Sequence, residues 1–377
     1  MPSIPQPPSP SLRAAPRRWG QRAFTLIELL VASVITAVLV GFIVTIVSNV
    51  SGFWNRTSGR LSSEAQARYI LDQLSLDLSS AQFRDDGNVW MAADVLNNAT
   101  GGATGLWQAA AANAKPTTAG ATGSLNMTTP SLADARFGTA GVWLRFFTTR
   151  RGNNLATDTT TFSAPVAVGY QIIRRLSAAS TTSTKTAYLF HRAESRPATI
   201  GGRPGVLESG FNITAAAYTT STAGTNNGAT TGDPRSIQVP GSRTNFASVI
   251  GENVIDFGVR CYVRDANQPN GLRLIFPAGN DAGALTNATT SPLRAQLPSG
   301  TPDTVANYNY RFLMPDVVDV MVRILTDEGA RLISAFETAN SPLTVPAGLT
   351  AQQYWWQIAA ANSQVYTRRV VINTKPL

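Results

Sequence analysis

Nineteen consecutive positions, Leu29–Val47, carry no charged residue and lie near the start of the chain. A helix needs about 20 apolar residues to cross the hydrocarbon core of a bilayer, and no later run approaches that length. One membrane-spanning segment is therefore expected. Ahead of it stand Arg13, Arg17, Arg18 and Arg22, in a stretch without an acidic residue and with prolines at positions 2, 5, 7, 8, 10 and 16. Behind it the nearest basic residues are Arg56 and Arg60. Short flanks rich in Lys and Arg stay cytoplasmic, so residues 1–23 are expected inside and the rest exported, with Phe53 and Trp54 at the far interface.

Composition agrees with export. Charged residues make up 14% of the 377, against about 25% in an average soluble domain, so solubility rests on Ser, Thr, Asn and Gln. The formal charge of +9 comes from 31 Lys and Arg against 22 Asp and Glu. Without the four leader arginines, 27 basic residues face 22 acidic ones, a formal +5, too small a surplus to argue for nucleic acid. Cys261 is the one cysteine and His191 the one histidine. The chain thus cannot form an intrachain disulfide or a Cys/His zinc cluster, and any Ser-His-Asp or Cys-His chemistry would depend on His191 alone.

An ordinary secretory signal has a 7–15-residue apolar region followed by an A-x-A-like site. Here the run is longer, no such site follows it, and the small residue, Ala23, precedes it. Glu28 sits at the mouth of the apolar helix, where a carboxylate calls for a partner. Ala23-Phe24-Thr25-Leu26-Ile27-Glu28, followed by Leu29-Leu30-Val31, resembles the prepilin family, whose signature is a small residue, usually Gly, then F-T-L-[IL]-E and a hydrophobic helix. The resemblance implies that prepilin peptidase cuts between Ala23 and Phe24 and methylates the new Phe24 amine. It also implies that Glu28 pairs with the amine of a neighbouring subunit as helices pack into a filament, with Phe24, Thr25, Leu26 and Ile27 at the same contact. Two buried charges would then offset each other only in the assembled state, which enforces register. Ala23 departs from the usual Gly, a tolerated minor variant.

Beyond the apolar run, Ala67, Ile70, Leu71, Leu74, Leu78 and Ala81 recur at helical spacing, with Glu64, Arg68, Asp72, Gln73 and Asp77 between them. A helix from Thr25 to Phe83 is expected, on the order of 90 Å at 1.5 Å per residue, weakened at Gly41, Gly52 and Gly59, with two helices broken near Ser51-Gly52 as the alternative. Asp85-Asp86-Gly87-Asn88 reads as its stop. Arg68–Asp86 resembles the corresponding region of J-type minor pseudopilins of type II secretion and of W-type minor pilins.

The rest reads as one β-rich domain. Val142–Thr148, Val166–Arg175, Lys185–Arg192, Val254–Val263, Leu272–Phe276, Val317–Leu325 and Val365–Ile372 alternate as strands, and Glu328–Phe336 and Thr350–Ala361 as short helices. Low-complexity patches near Asn97–Gly123, Ala215–Gly232 and Gly279–Thr290 read as loops. Alternation places Cys261 on the apolar face of its strand, as a core thiol. Glu252–Phe257 and the Val-rich strand Val317–Leu325 also resemble strands that lie over the helix in J- and W-type subunits. The expected fold is α+β: a leader at 1–23, a membrane or filament-core helix at 24–53, its amphipathic continuation at 54–86, and an exported domain at 87–377 built on an antiparallel sheet. The chain's size, the A-F-T-L-I-E-L-L-V segment and the Arg368–Ile372 ending further resemble the pilin-like group called Verru_Chthon cassette protein C, to which no activity attaches.

The sequence contains no phosphate loop, nucleophile elbow or H-E-x-x-H. Neither a catalytic residue nor a cofactor or metal is expected, and the chain is read as no enzyme. Asp85, Asp86 and Asn88 could offer oxygens to Ca²⁺ but serve better as a stop signal, and His191 is read as a strand-end residue. Arg150-Arg151, Arg174-Arg175 and Arg368-Arg369 would each split across the two faces of a strand. The sequons at Asn55, Asn98, Asn126, Asn212 and Asn287 are what Thr-rich sequence yields by chance. Three classes follow: a minor pilin or pseudopilin of a type IV pilus or type II secretion-like filament; an anchored binding module, adhesin or DNA-uptake subunit; and an anchored enzyme. The first is the leading reading. Its expected partners are prepilin peptidase, other pilin or pseudopilin subunits, the inner-membrane assembly platform, and lipid before assembly, with nucleic acid disfavoured.

Overall fold

The computed structural model describes residues 25–95, 142–149, 165–176, 186–195, 205–219, 249–276, 292–299, 310–337, 343–349 and 351–372. The chain divides into two compact units, Met1–Arg56 and Thr57–Leu377, and helix α1 (Leu26–Ser79) contributes to both. No break occurs at Gly41, Gly52 or Gly59. The leader, the Asn97–Gly123 and Gly279–Thr290 patches, most of Ala215–Gly232, the Arg150-Arg151 pair and the sequons at Asn98, Asn126 and Asn287 lie outside the described residues, as do the side chains of Asn55, Arg174 and Arg175.

In the second unit α1 buries the expected stripe: Ala67, Ile70, Leu71, Leu74 and Leu78 face inward, while Arg68 and Asp72 face water. The helix ends at Ser79 rather than Phe83 because the sheet takes the next residues. Gln82 N–H donates to the Phe147 carbonyl at 2.9 Å, and Ala81 bridges Thr148. Asp86 then closes a turn, its Oδ1 accepting the Asn88 amide at 3.0 Å and the Trp90 indole N–H at 2.9 Å. Burial opposes ionisation of Asp86, but these bonds outweigh it and hold its pKa below the usual value. The carboxylate is thus committed to the stop signal.

Among the described residues, ten strands form two sheets where sequence periodicity led to the expectation of one. They are β1 (Met91–Val95), β2 (Val142–Thr149), β3 (Pro165–Leu176), β4 (Thr186–Glu194), β5 (Val249–Glu252), β6 (Val254–Arg264), β7 (Leu272–Phe276), β8 (Leu293–Ala295), β9 (Val317–Leu325) and β10 (Ser363–Val371). The first sheet runs β5-β4-β3-β2-β1-β8 and the second β10-β9-β6-β7, with every pairing antiparallel. Two one-turn helices, α2 (Val206–Ser209) and α3 (Ala216–Thr219), lie between β4 and β5 in sequence, so the Ala215–Gly232 patch begins in helix. The sheets share a core in which Phe190 of β4 meets Phe257 of β6 edge to face, 4.7 Å between centroids. Asn253, at φ 58°, makes the corner from β5 into β6 within the Glu252–Phe257 segment, a left-handed conformation that Asn tolerates.

On β10 the paired arginines do part as alternation requires. Arg368 reaches Asp72 on α1, while Arg369 grips Asp319 of β9 with two bonds of 2.7 and 2.8 Å. Cys261 is buried, and burial together with the Asp319 charge pushes its thiol pKa well up, the behaviour of an inert core thiol. His191 departs from the expectation: it lies inside β4, fully buried, opposite Gln171 of β3.

Helices α4 (Asp327–Glu337) and α5 (Ala351–Ala361) lie between β9 and β10 in sequence. Thr326 caps α4, its Oγ1 accepting the Gly329 amide at 3.2 Å. A Cβ on Gly329 would lie 2.6 Å from Asn362 Cβ and 2.8 Å from the Asn362 carbonyl oxygen. Alanine in a helix gains about 1 kcal/mol over glycine, but overpacking against backbone costs about 1–3 kcal/mol. Gly329→Ala is therefore expected to lower the urea midpoint of the detergent-solubilised chain, by tryptophan fluorescence; an unchanged or raised midpoint would contradict the close approach.

Candidate processing and assembly site

The N-terminal end of α1 is built by four residues of the sequence signature. Leu26 is the first helical residue, and Thr25 precedes it as the cap. Glu28 N–H donates to Thr25 Oγ1 at 3.3 Å, and Thr25 N–H donates back to Glu28 Oε2 at 3.0 Å. This reciprocal pair is a capping box, which satisfies two amides that a helix start otherwise leaves without acceptors. The Thr25 hydroxyl also donates to Glu28 Oε2 at 3.1 Å. One carboxylate oxygen is thereby held by its own chain, while Oε1 has no described partner, and the side chain is exposed. The T-x-x-E spacing carried this signal, although the cap itself was not read from it. Ala23 and Phe24 lie outside the described residues.

From Leu26 to Trp54 the large apolar side chains are 49–84% exposed. Apolar side chains all around a helix demand cover. The segment is long and apolar enough to cross a membrane. Its hydroxyls suit such surroundings: Ser33 donates to the Leu30 carbonyl, Thr36 to Ala32 and Thr45 to Gly41, at 2.8–2.9 Å. Each of these three hydroxyls is thus satisfied within the helix, as lipid requires. Glu28 is the one ionisable side chain between Thr25 and Trp54.

Two buried charge clusters in the second unit went unread in the sequence. Asp77 on α1 receives the Tyr170 hydroxyl of β3 and, at 2.7 Å, Arg192 Nε of β4; Arg192 also reaches Glu194 at 2.5 Å. Burial, reinforced by the Asp77 carboxylate, pushes the Tyr170 pKa well up, so the phenol remains a donor. Thr148 adds a 2.8 Å bond to the Asp77 carbonyl. This network fastens the last turns of α1 to the first sheet. The second cluster, Asp94 with Arg145 and Arg294, ties β1 to β2 and β8. No group of three or more His, Cys, Asp or Glu suited to a metal occurs among the described residues.

No curated protein and no solved structure matches the chain. The prepilin motif and the apolar helix together point to a single-pass, membrane-anchored protein. Residues 20–44 match the prokaryotic N-terminal methylation motif, so the helix start just described carries the mark of a type IV prepilin-like protein.

Proposed function

We propose that the chain is a structural subunit, a minor pilin or pseudopilin, of a type IV pilus or type II secretion-like filament. The observation that supports this reading is a capped helix that begins within a methylation motif and exposes its large apolar side chains from Leu26 to Trp54. The peptidase removes residues 1–23 on the cytoplasmic side, and the new Phe24 amine meets Glu28 of a neighbouring subunit. Before assembly, lipid covers the helix; afterwards, other subunits do, drawn from the membrane through the assembly platform. The domain beyond the membrane sets which neighbours the subunit meets. Its size favours a minor position, because a large domain hinders uniform helical packing. The role is structural, without catalysis.

The experiment that tests this reading compares wild-type and Glu28→Ala chains in filaments sheared from the host. Wild type is expected in the filament fraction and the variant only in membranes; equal amounts of both in filaments would remove the charge pairing.

A further inference from the structure

Alternate residues of a strand face opposite sides of the sheet. In the first sheet Tyr170 and Arg192 face α1 through Asp77, so their immediate neighbours Gln171 and His191 face away from it. On that outer face, register places Ala92 of β1 between Arg145 of β2 and Arg294 of β8, and Asp94 opposite Trp143. Leu144 pairs with Tyr170, which brings Trp143 beside Gln171. A row of polar groups therefore crosses the sheet where an apolar layer would ordinarily lie, with Arg145 3%, Trp143 6% and Gln171 0% exposed.

The row is short of acceptors. Both oxygens of Asp94 are taken, one by Arg145 and the other by Arg294 at 2.5 Å, so two guanidinium groups share one carboxylate and a positive charge is left over. Arg145 Nε, Trp143 Nε1 and both amide atoms of Gln171 are buried without a hydrogen-bond partner. The Arg145 guanidinium lies over the Trp143 ring, 3.6 Å from its centroid, which fixes it in place. Burial, aided by the charge of Arg294 and opposed by Asp94, pushes the Arg145 pKa down to about 10. An uncompensated buried cation and several unmet donors are both unfavourable, and a second anion would relieve both. A planar guanidinium fork suits carboxylate or phosphate oxygens. Arg294 on the edge strand β8 and Asp94 on its neighbour β1 are 25% and 23% exposed, which gives the row an opening.

We propose that Arg145, Arg294, Trp143 and Gln171 form a binding site for an oxyanion, a carboxylate or phosphate group admitted past the β8 edge of the first sheet.

The test uses the full chain in a neutral maltoside detergent, titrated with sodium acetate or sodium phosphate against chloride at constant ionic strength. Thermal midpoint and calorimetry give the readout. Saturable binding of at least one of the two is expected, and the one preferred tells a carboxylate source from a phosphate source. Arg294→Gln alters a partly exposed side chain and is expected to weaken binding at least tenfold. Trp143→Phe keeps the ring under Arg145, removes the indole donor, and is expected to weaken binding severalfold. Absence of saturable binding by either anion in the wild type would overturn the site, as would equal binding by the wild type and both variants.

Discussion

A Glu28→Gln chain is expected to reach the membrane as the wild type does and to be lost from filaments, its incorporation falling by two to three orders of magnitude. Glutamine, like glutamate, can close a capping box, so the Thr25 bonds and the helix start survive in this variant while the charge does not. Membrane insertion is not hindered, because removing a carboxylate from an apolar segment lowers its transfer cost. What would be lost from the proposed assembly is one half of a buried ion pair, worth about 3–5 kcal/mol when a single partner is removed, and each 1.4 kcal/mol is about tenfold in association. Thr25→Ala makes the converse change. It removes the hydroxyl that Glu28 N–H uses at 3.3 Å, costing about 0.5–2 kcal/mol of helix start, but keeps the carboxylate and is expected to assemble. Quantitative immunoblots of sheared filaments and membranes separate the outcomes. Wild-type incorporation of Glu28→Gln would mean that capping, not charge, is the purpose of the carboxylate.

The second large effect concerns the exported domain. Asp77→Ala is expected to destabilise it by about 3 kcal/mol, toward the lower end of the range for breaking a buried pair. The Asp77 and Arg192 side chains are 8% and 16% exposed, so solvent screens them little. Arg192 keeps Glu194 at 2.5 Å, which limits the loss, whereas the Tyr170 hydroxyl loses its acceptor and adds to it. Glu64→Ala provides the comparison. Its partner Arg68 is 75% exposed, and an exposed pair one helical turn apart contributes only about 0.3–0.5 kcal/mol. Urea unfolding of the full chain in detergent, read by tryptophan fluorescence, should show a large drop in midpoint for the first variant and almost none for the second. Equal effects would show that the Asp77 network does not hold α1 to the sheet.

The sequence made some of this legible and hid the rest for physical reasons. The α1 stripe shows through because burial on one face imposes a period, and seven strands show through as short runs rich in β-branched and aromatic residues, with β2 and β9 buried along both faces. β1, Met-Ala-Ala-Asp-Val, lacks that signature because two of its buried positions are alanines. β5 is short and holds Gly251, where a Cβ would meet the Ile70 side chain at 2.5 Å. β8 has three residues, too few for any period. Alternation identifies faces but not neighbours: Met91 of β1 pairs with Ala295 of β8, and nothing local announces this, so two sheets were expected as one. Both charge clusters share that origin. Tyr170 and Arg192 lie 93 and 115 positions from Asp77, and Arg145, between Leu144 and Phe146, looks like the polar step of an ordinary strand. At the helix start the reverse holds. Thr25, Leu26, Ile27 and Glu28 are contiguous, so the signature and the capping box coincide in four letters.

The central claim is that Phe24 becomes a new N-terminus whose amine answers Glu28. Intact-mass and N-terminal peptide mass spectrometry on the protein purified from membranes of its own host tests it most directly. The account predicts a mature chain that begins at a methylated Phe24, with residues 1–23 gone. A major species that retains residues 1–23 would contradict it, because Glu28 would then have no amine at Phe24 to pair with and the apolar helix would be an anchor alone.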